Sequence, residues 1–410
     1  MKGAGRVAVA IALAGAMLVA GAAASGRRAP SNGGRQPTQD WRASASLGLA
    51  YLREGRRTAD PAWYPRAERA LRRSLALHEE GNVEAMVGMG VLSLGRHDFA
   101  EALTWGRRAR AVSPYDPDAR GVVGDALVEL GRYRAAARAF QAMIDLRPGL
   151  SSFARVSYLR ELTGDVPGAV KAMRRAVGFA ATPEDAAWAG YHLGELYFGS
   201  GRLAQAERAY RAGRASDPDA VFPRVGLARS AAARGDLGRA TRILSHVVRR
   251  YPAPEFVILL ADVQASASDR EGARESRGLV RVMDRLARSG GVDTDLDMAL
   301  FFADHGLDGD LERARAAYRR RPGVSAADAL AWALSAEGHH RAAARRAREA
   351  MRLGTRSASF HFHAGMIALR MGRTEPARRL LGEALAINPH FSLLHADDAR
   401  RILERLDGRR

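Results

Sequence analysis

The feature that most constrains this chain is an internal period. The stretch MVGMGVLSLGRHDFAEALTWGRRARAVSP, from Met86 to Pro114, is followed by RGVVGDALVELGRYRAAARAFQAMIDLRP, from Arg120 to Pro148. Gly90 and Gly124, Ala102 and Ala136, and Pro114 and Pro148 each stand 34 residues apart. A period of that length marks a stack of small units, none of which can bury its apolar face alone. Alanine, leucine and arginine outnumber the β-branched residues, and aromatic content is only 7%, so the units are helical. An apolar fraction of 47% suits a packed core and excludes an acidic disordered chain. The 42 glycines and 16 prolines follow no strict period, which excludes a collagen-like chain.

This pattern resembles the tetratricopeptide repeat, a 34-residue helix–turn–helix family with small residues at positions 8 and 20 and a proline at 32. Position 20 falls on Ala67, Ala102, Ala136, Ala169, Ala206, Ala240, Ala273, Ala314, Ala343 and Ala377. Position 8 falls on Gly48, Gly90, Gly124, Ser157, Gly194, Ala228, Ala261, Phe302, Ala331 and Gly365, and proline 32 on Pro114, Pro148, Pro218, Pro252 and Pro389. A residue without a side chain beyond Cβ lets two helices approach while larger neighbours fill the groove. Proline ends the second helix, and a Gly-Arg or Gly-Asp turn caps the first. The resemblance implies an all-α, right-handed α-solenoid of about ten repeats over residues 41–390; residues 391–410 follow as a C-terminal capping helix, read as running from Ser392 to Leu406. Three departures stand out: Phe302 at a small position, a lengthened second helix before Gly290-Gly291, and an insertion in repeat one with Pro61 and Pro65 as stops.

Residues 1–24 read as a signal peptide: Lys2 and Arg6, an uncharged run from Val7 to Ala24, and Ala22-Ala23-Ala24 before Ser25. The same run is just long enough to serve as an N-terminal anchor. Residues 25–40 are rich in Gly, Pro, Ser and Arg and read as a disordered linker. The chain is thus expected to be exported, either secreted or held at the cell envelope.

Catalytic and metal chemistry find little footing. Cysteine is absent, which excludes disulfides, Cys-ligated zinc and a thiol nucleophile. Asp293, Asp295 and Asp297 begin like a calcium loop, but Met298 and Asp304 stand where that loop needs Gly and Glu. These acids suit a helix N-terminus instead. No phosphate loop or nucleophile elbow occurs, so no enzyme and no cofactor are expected. Seven of the eleven histidines, His305, His339, His340, His361, His363, His390 and His395, lie in the last 106 residues. A histidine-based metal binder is therefore an alternative, although His361 and His363 point to different faces of one helix.

In the family, positions 2, 5, 9 and 12 of the first helix line a concave groove. On this chain the resemblance puts Glu84, Asp118, Asp125, Glu161, Glu195, Glu255, Asp262 and Asp328 there, with Arg229 as the one basic member. The rings are Tyr158, Trp188, Tyr191, Phe198, Phe222, Trp332 and Phe362. A chain of net charge +19 would then carry a negative, aromatic groove suited to a cationic protein or peptide segment. The expected partner-binding residues are Tyr158, Trp188, Tyr191, Glu195, Phe198, Phe222, Asp262 and Trp332, each ring having packing against the next repeat as its alternative role. The arginines crowd the second helices, among them Arg174, Arg175, Arg345 and Arg346. They suggest the other class of partner, an anionic envelope polymer or lipid surface. Few rings are interleaved with them, which argues against nucleic acid.

Overall fold

The computed structural model describes residues 40–307 and 309–408. The expected leader, and the linker up to residue 39, lie outside the described residues. Among those described, the regular elements are 21 α-helices with no strand. They form ten helix pairs, with the first helix of each pair called A and the second B. Repeat one pairs Trp41–Thr58 with Trp63–Leu77, repeat two Val83–Gly95 with Phe99–Val112, and repeat three Pro117–Glu129 with Tyr133–Leu146. Repeat four pairs Leu150–Leu162 with Val166–Gly178, repeat five Pro183–Gly199 with Leu203–Ser216, and repeat six Val221–Ala233 with Leu237–Arg250. Repeat seven pairs Pro254–Ser266 with Arg270–Ser289, repeat eight Asp295–His305 with Asp310–Arg320, repeat nine Val324–Ala336 with His340–Ala350, and repeat ten Ala358–Arg370 with Thr374–Ile387. A single helix, Ala396–Asp407, closes the array. Among the described residues no helix is long and apolar enough to cross a membrane.

Local chemistry sets the ends of these helices. Asp98, Asp116, Asp165 and Asp236 each accept a backbone N–H of the first turn of the helix that follows, which satisfies a donor that has no partner within the helix. Thr182 does the same with Pro183 at the first helical position. Two boundaries differ from the sequence reading. Pro65 does not stop a helix but sits inside its first turn, where a missing N–H is harmless. The closing helix starts at Ala396, because the preceding residues 388–395 are folded into turns.

The repeat frame is confirmed by burial: all ten position-20 alanines are at most 1% exposed. The chain divides into two compact units, one of residues 40–156 with 285–293 and one of residues 157–284 with 294–408. In the first, Leu71 fills the space left by two glycines; a Cβ on Gly48 would lie 2.6 Å from its Cγ, and one on Gly88 2.7 Å from its Cδ2. In the second, the Tyr210 ring lies between Gly194 and Gly226, and a Cβ on either would overlap it. Small residues at these sites are thus a condition for the rings and leucines that pack there. Phe302, at the position that is small elsewhere, is half-buried under the Arg313 guanidinium, 5.3 Å from its ring centre.

Both units also hold contacts between repeats that are not neighbours. In the first, the A–B turn of repeat two meets the loop after repeat seven: Arg96 Nε donates to Gly290 O (3.2 Å), His97 Nδ1 to Asp293 O (2.6 Å), and Asp293 N to Arg96 O (2.9 Å). In the second, Thr355 Oγ1 after repeat nine donates to Leu162 O in repeat four (2.5 Å), and Asn388 Nδ2 after repeat ten donates to Phe198 O in repeat five (2.9 Å). Gly164 in the turn of repeat four has φ +80°, and a Cβ there would overlap Gly354 O.

That contact has a direct control. Gly235, in the equivalent turn of repeat six, has φ +84° with open space around it. Gly235→Ala should lose only the left-handed backbone penalty, about 1–2 kcal/mol. Gly164→Ala should lose more, because it also pushes the 354–355 loop away. Urea unfolding followed by circular dichroism compares the two, and equal losses would mean that the turn-to-loop contact contributes nothing.

Candidate functional site

The A helices carry the candidate site, and their acids are not bare. Four of them meet a base on the A helix of the next repeat. Asp125 in repeat three takes Arg155 of repeat four in a forked pair, Nε to Oδ1 at 2.9 Å and Nη2 to Oδ2 at 2.8 Å, both side chains buried. Glu195 in repeat five pairs with Arg229 of repeat six and also accepts from Tyr210 Oη. Asp262 in repeat seven faces His305 Nε2 of repeat eight at 3.0 Å, and Asp328 in repeat nine faces His363 Nδ1 of repeat ten at 2.9 Å. The groove is therefore not the uniformly negative surface expected from position counting. Arg155 stands at a position that the frame did not assign to the groove, and the sequence reading gave His305 and His363 no carboxylate partner.

The expected rings divide in the same way. Tyr158, Tyr191, Phe198 and Trp332 are only 5–7% exposed, and Glu195 is 7% exposed, so these five belong to the interior rather than to an open surface. Arg229 lies over the Phe198 ring at 4.4 Å. Trp332 donates through Nε1 to Asp304 Oδ1 (2.9 Å) and stacks on His363 at 4.5 Å. Truncating Glu195 would leave Arg229 buried without its counter-ion, a change that typically costs about 3–5 kcal/mol. Such a variant would report folding rather than binding.

A half-buried remainder is left along repeats five to seven. Trp188 packs on His192 (4.2 Å), Tyr191 on Phe222 (5.4 Å), and Phe222 on both Tyr251 (5.6 Å) and Phe256 (5.8 Å). Trp188, Phe222 and Tyr251 keep part of their surface in solvent. The indole N–H of Trp188 has no acceptor. Burial holds the His192 imidazole down at about 4, so it stays neutral and apolar in this row. Next to Phe256 stands Glu255, half-buried, with its carboxyl pushed up to about 7 by burial and by the charge of Asp297. Among the described residues no arginine, lysine or histidine pairs with Glu255. Glu255, the residue before Phe256 on the same helix, is thus an acid that lacks a counter-ion among the described residues.

Other chemistry has less support from the geometry. Among the described residues no group of three or more His, Asp or Glu could hold a metal ion. On the B helices, Arg174 donates to Tyr197 Oη (2.7 Å) and Arg346 to Tyr318 Oη (2.6 Å), so part of that basic charge is held by neighbouring side chains.

Comparison with known proteins agrees with the repeat frame. The tetratricopeptide repeat family matches residues 64–117 and 124–186. Cellulose synthase 1 operon protein C of Komagataeibacter xylinus is 25% identical over 254 residues, 62% of this chain and 17% of that protein. The chain thus spans about a sixth of the length of that curated relative. Among solved structures, the Cut9–Hcn1 hetero-tetramer of APC/C aligns over 83% of this chain and 59% of its own, at 17% identity and TM-score 0.44. A thermophilic TPR protein of Thermus thermophilus aligns over 47% of this chain and 98% of its own, at 21% identity and TM-score 0.42. Yeast Tom70 aligns over 90% and 79%, at 15% identity and TM-score 0.40.

The His–Asp pairs generate a pH dependence with a defined sign. For His305 and His363 burial opposes the charged form, but the hydrogen bond and charge of the partner aspartate raise the pKa above its ordinary value. Burial raises Asp262 and Glu255 as well. All four hold protons more tightly folded than unfolded, so stability is greatest at low pH for these groups and falls as pH rises. His192 works the other way, but only below its unfolded value of about 6.5. Stability should therefore decline as pH rises above the ordinary histidine value of about 6.5, and His305→Gln with His363→Gln should flatten that decline. Thermal unfolding at stepped pH measures it; an unchanged slope in the double variant would refute the assignment.

Proposed function

We propose that this chain, a tetratricopeptide-repeat protein, is a non-enzymatic scaffold. It binds a protein or peptide segment along the ring row of repeats five to seven. An arginine or lysine of that segment is set against Glu255 and Asp297. The observation that carries this reading is Glu255 itself, a half-buried acid without a counter-ion among the described residues, on the helix that brings Phe256 to the row of rings. A cation brought there would favour the ionised carboxylate, and the exposed parts of Trp188, Phe222 and Tyr251 would cover the apolar stem of the same side chain. Of the residues expected from sequence, Trp188 and Phe222 remain in this site. Tyr158, Tyr191, Phe198, Glu195, Asp262 and Trp332 support it from behind or from neighbouring repeats. Export through residues 1–24 belongs to the same reading, with cleavage before Ser25.

Two measurements test it. A library of synthetic peptides carrying Arg beside an aromatic residue, presented to the full chain, should yield binders whose affinity rises as pH increases through about 7, because the acid must ionise to pair. Glu255→Gln should remove that pH dependence. Trp188→Ala with Phe222→Ala should weaken the same binders by about 2 kcal/mol or more. Binders that ignore both sets of substitutions would displace the ring row as the site. N-terminal sequencing of protein recovered outside the cell should begin at or near Ser25, whereas recovery from the cytosol would refute export.

A further inference from the structure

The irregular stretch 388–395 touches the array differently from the other inter-repeat loops. It is eight residues long, while the loops between repeats run from three to seven. Its backbone is largely satisfied by its own turns: Phe391 N donates to Asn388 O, His390 N to Asn388 Oδ1, and His395 N to Ser392 Oγ. Its hold on the A helices falls to three side chains. Asn388 Nδ2 donates to Phe198 O (2.9 Å), Phe391 packs on the Phe362 ring (5.4 Å), and His395 reaches Asp304 Oδ1 (3.3 Å), Phe362 (4.5 Å) and Trp332 (6.0 Å). Phe391 and His395 are both buried. Phe362 and Trp332 are rings that the family frame assigns to the groove, and Asp304 lies on helix A of repeat eight.

We propose that residues 388–395 are an internal occupant of the A-helix face of repeats eight to ten, and that a partner segment with a ring followed four residues later by an imidazole or guanidinium side chain binds that face in their place. The chemistry is complementary on both counts. The ring meets Phe362, and the cationic group meets Asp304, which also accepts from the Trp332 indole N–H. A surface already covered by part of its own chain binds a rival only in the fraction of molecules in which that cover is lifted. Because the turns within 388–395 close on themselves, residues 391–395 can lift from Phe362, Trp332 and Asp304 while Asn388 keeps its bond to Phe198 O. This face is separate from the ring row of repeats five to seven, so the two proposals stand or fall apart.

The test uses the full chain and a labelled synthetic peptide spanning residues 386–398. Phe391→Ala with His395→Ala should release the face without touching it. That variant should bind the peptide at least about tenfold more tightly than the unaltered chain, as follows if the cover is in place in nine molecules of ten. Adding Asp304→Asn to the double variant should abolish the gain, while Glu255→Gln should leave it intact. Equal binding to the variant and the unaltered chain, or no binding to a variant whose circular dichroism matches the unaltered chain, overturns the proposal. Should the double variant lose helix content, His395→Ala alone carries the same comparison, with the same outcomes deciding.

Discussion

The packing depends on a pairing between A helices of consecutive repeats. Asp125 meets Arg155, Glu195 meets Arg229, Asp262 meets His305, and Asp328 meets His363. The first pair lies in the unit of residues 40–156 and the other three in the unit of residues 157–284 with 294–408. Burying a charge is unfavourable unless its partner and its hydrogen bonds go with it, and removing one member of such a pair is far worse than never having had it. Repeats that are otherwise built from alanine, glycine and leucine offer few directional contacts at these interfaces. A pair of defined geometry therefore sets which face of one A helix meets the next, a contribution to specificity more than to net stability.

These pairs explain what could and could not be read from the sequence. The period was legible because it rests on single positions with a steric requirement. Ala136 must be small whatever else the chain does, and Gly194 leaves room for Tyr210. Pairing across repeats has no such fixed spacing: 30 residues separate Asp125 from Arg155, 34 separate Glu195 from Arg229, and 43 separate Asp262 from His305. Counting groove positions thus left the acids without partners, and the concave face looked negative. The rings were misjudged for a related reason. An aromatic residue at a groove position is exposed only if the neighbouring side chains are short, and Phe198 has the long Arg229 side chain lying over it.

Glu255 is the counterexample that gives the site its character. It occupies the same kind of position as the paired acids, but the A helix of the next repeat presents Asp297 and not a base. Like charge and burial together hold its proton near neutrality. In repeats three, five, seven and nine a base on the next A helix meets the acid, and among the described residues no base meets Glu255. The aromatic row beside it supplies apolar area at low conformational cost, and together they form a place where a cationic side chain would lose little on desolvation.

An array whose repeats touch only their neighbours can gain or lose a unit with little consequence, since its stability is a sum of local terms. This chain is not of that kind. The turn of repeat two is bound to the loop after repeat seven, that of repeat four to the loop after repeat nine, and that of repeat five to the loop after repeat ten, at separations of 194, 193 and 190 residues. Deleting one repeat between such partners would set that loop opposite the wrong turn. The glycines of those turns carry a double demand. Gly164 and Gly201 take a positive φ of 80° and 74°, and each also lets a distant loop approach closer than a side chain would permit. The long loop at 388–395 belongs to this scheme at one end, through Asn388, and covers a ring-lined face at the other, through Phe391 and His395. A closing segment tied to repeat five at its first residue and packed on repeats eight to ten at its last is joined to its unit at two places, beyond the simple capping role that its place in the chain suggests.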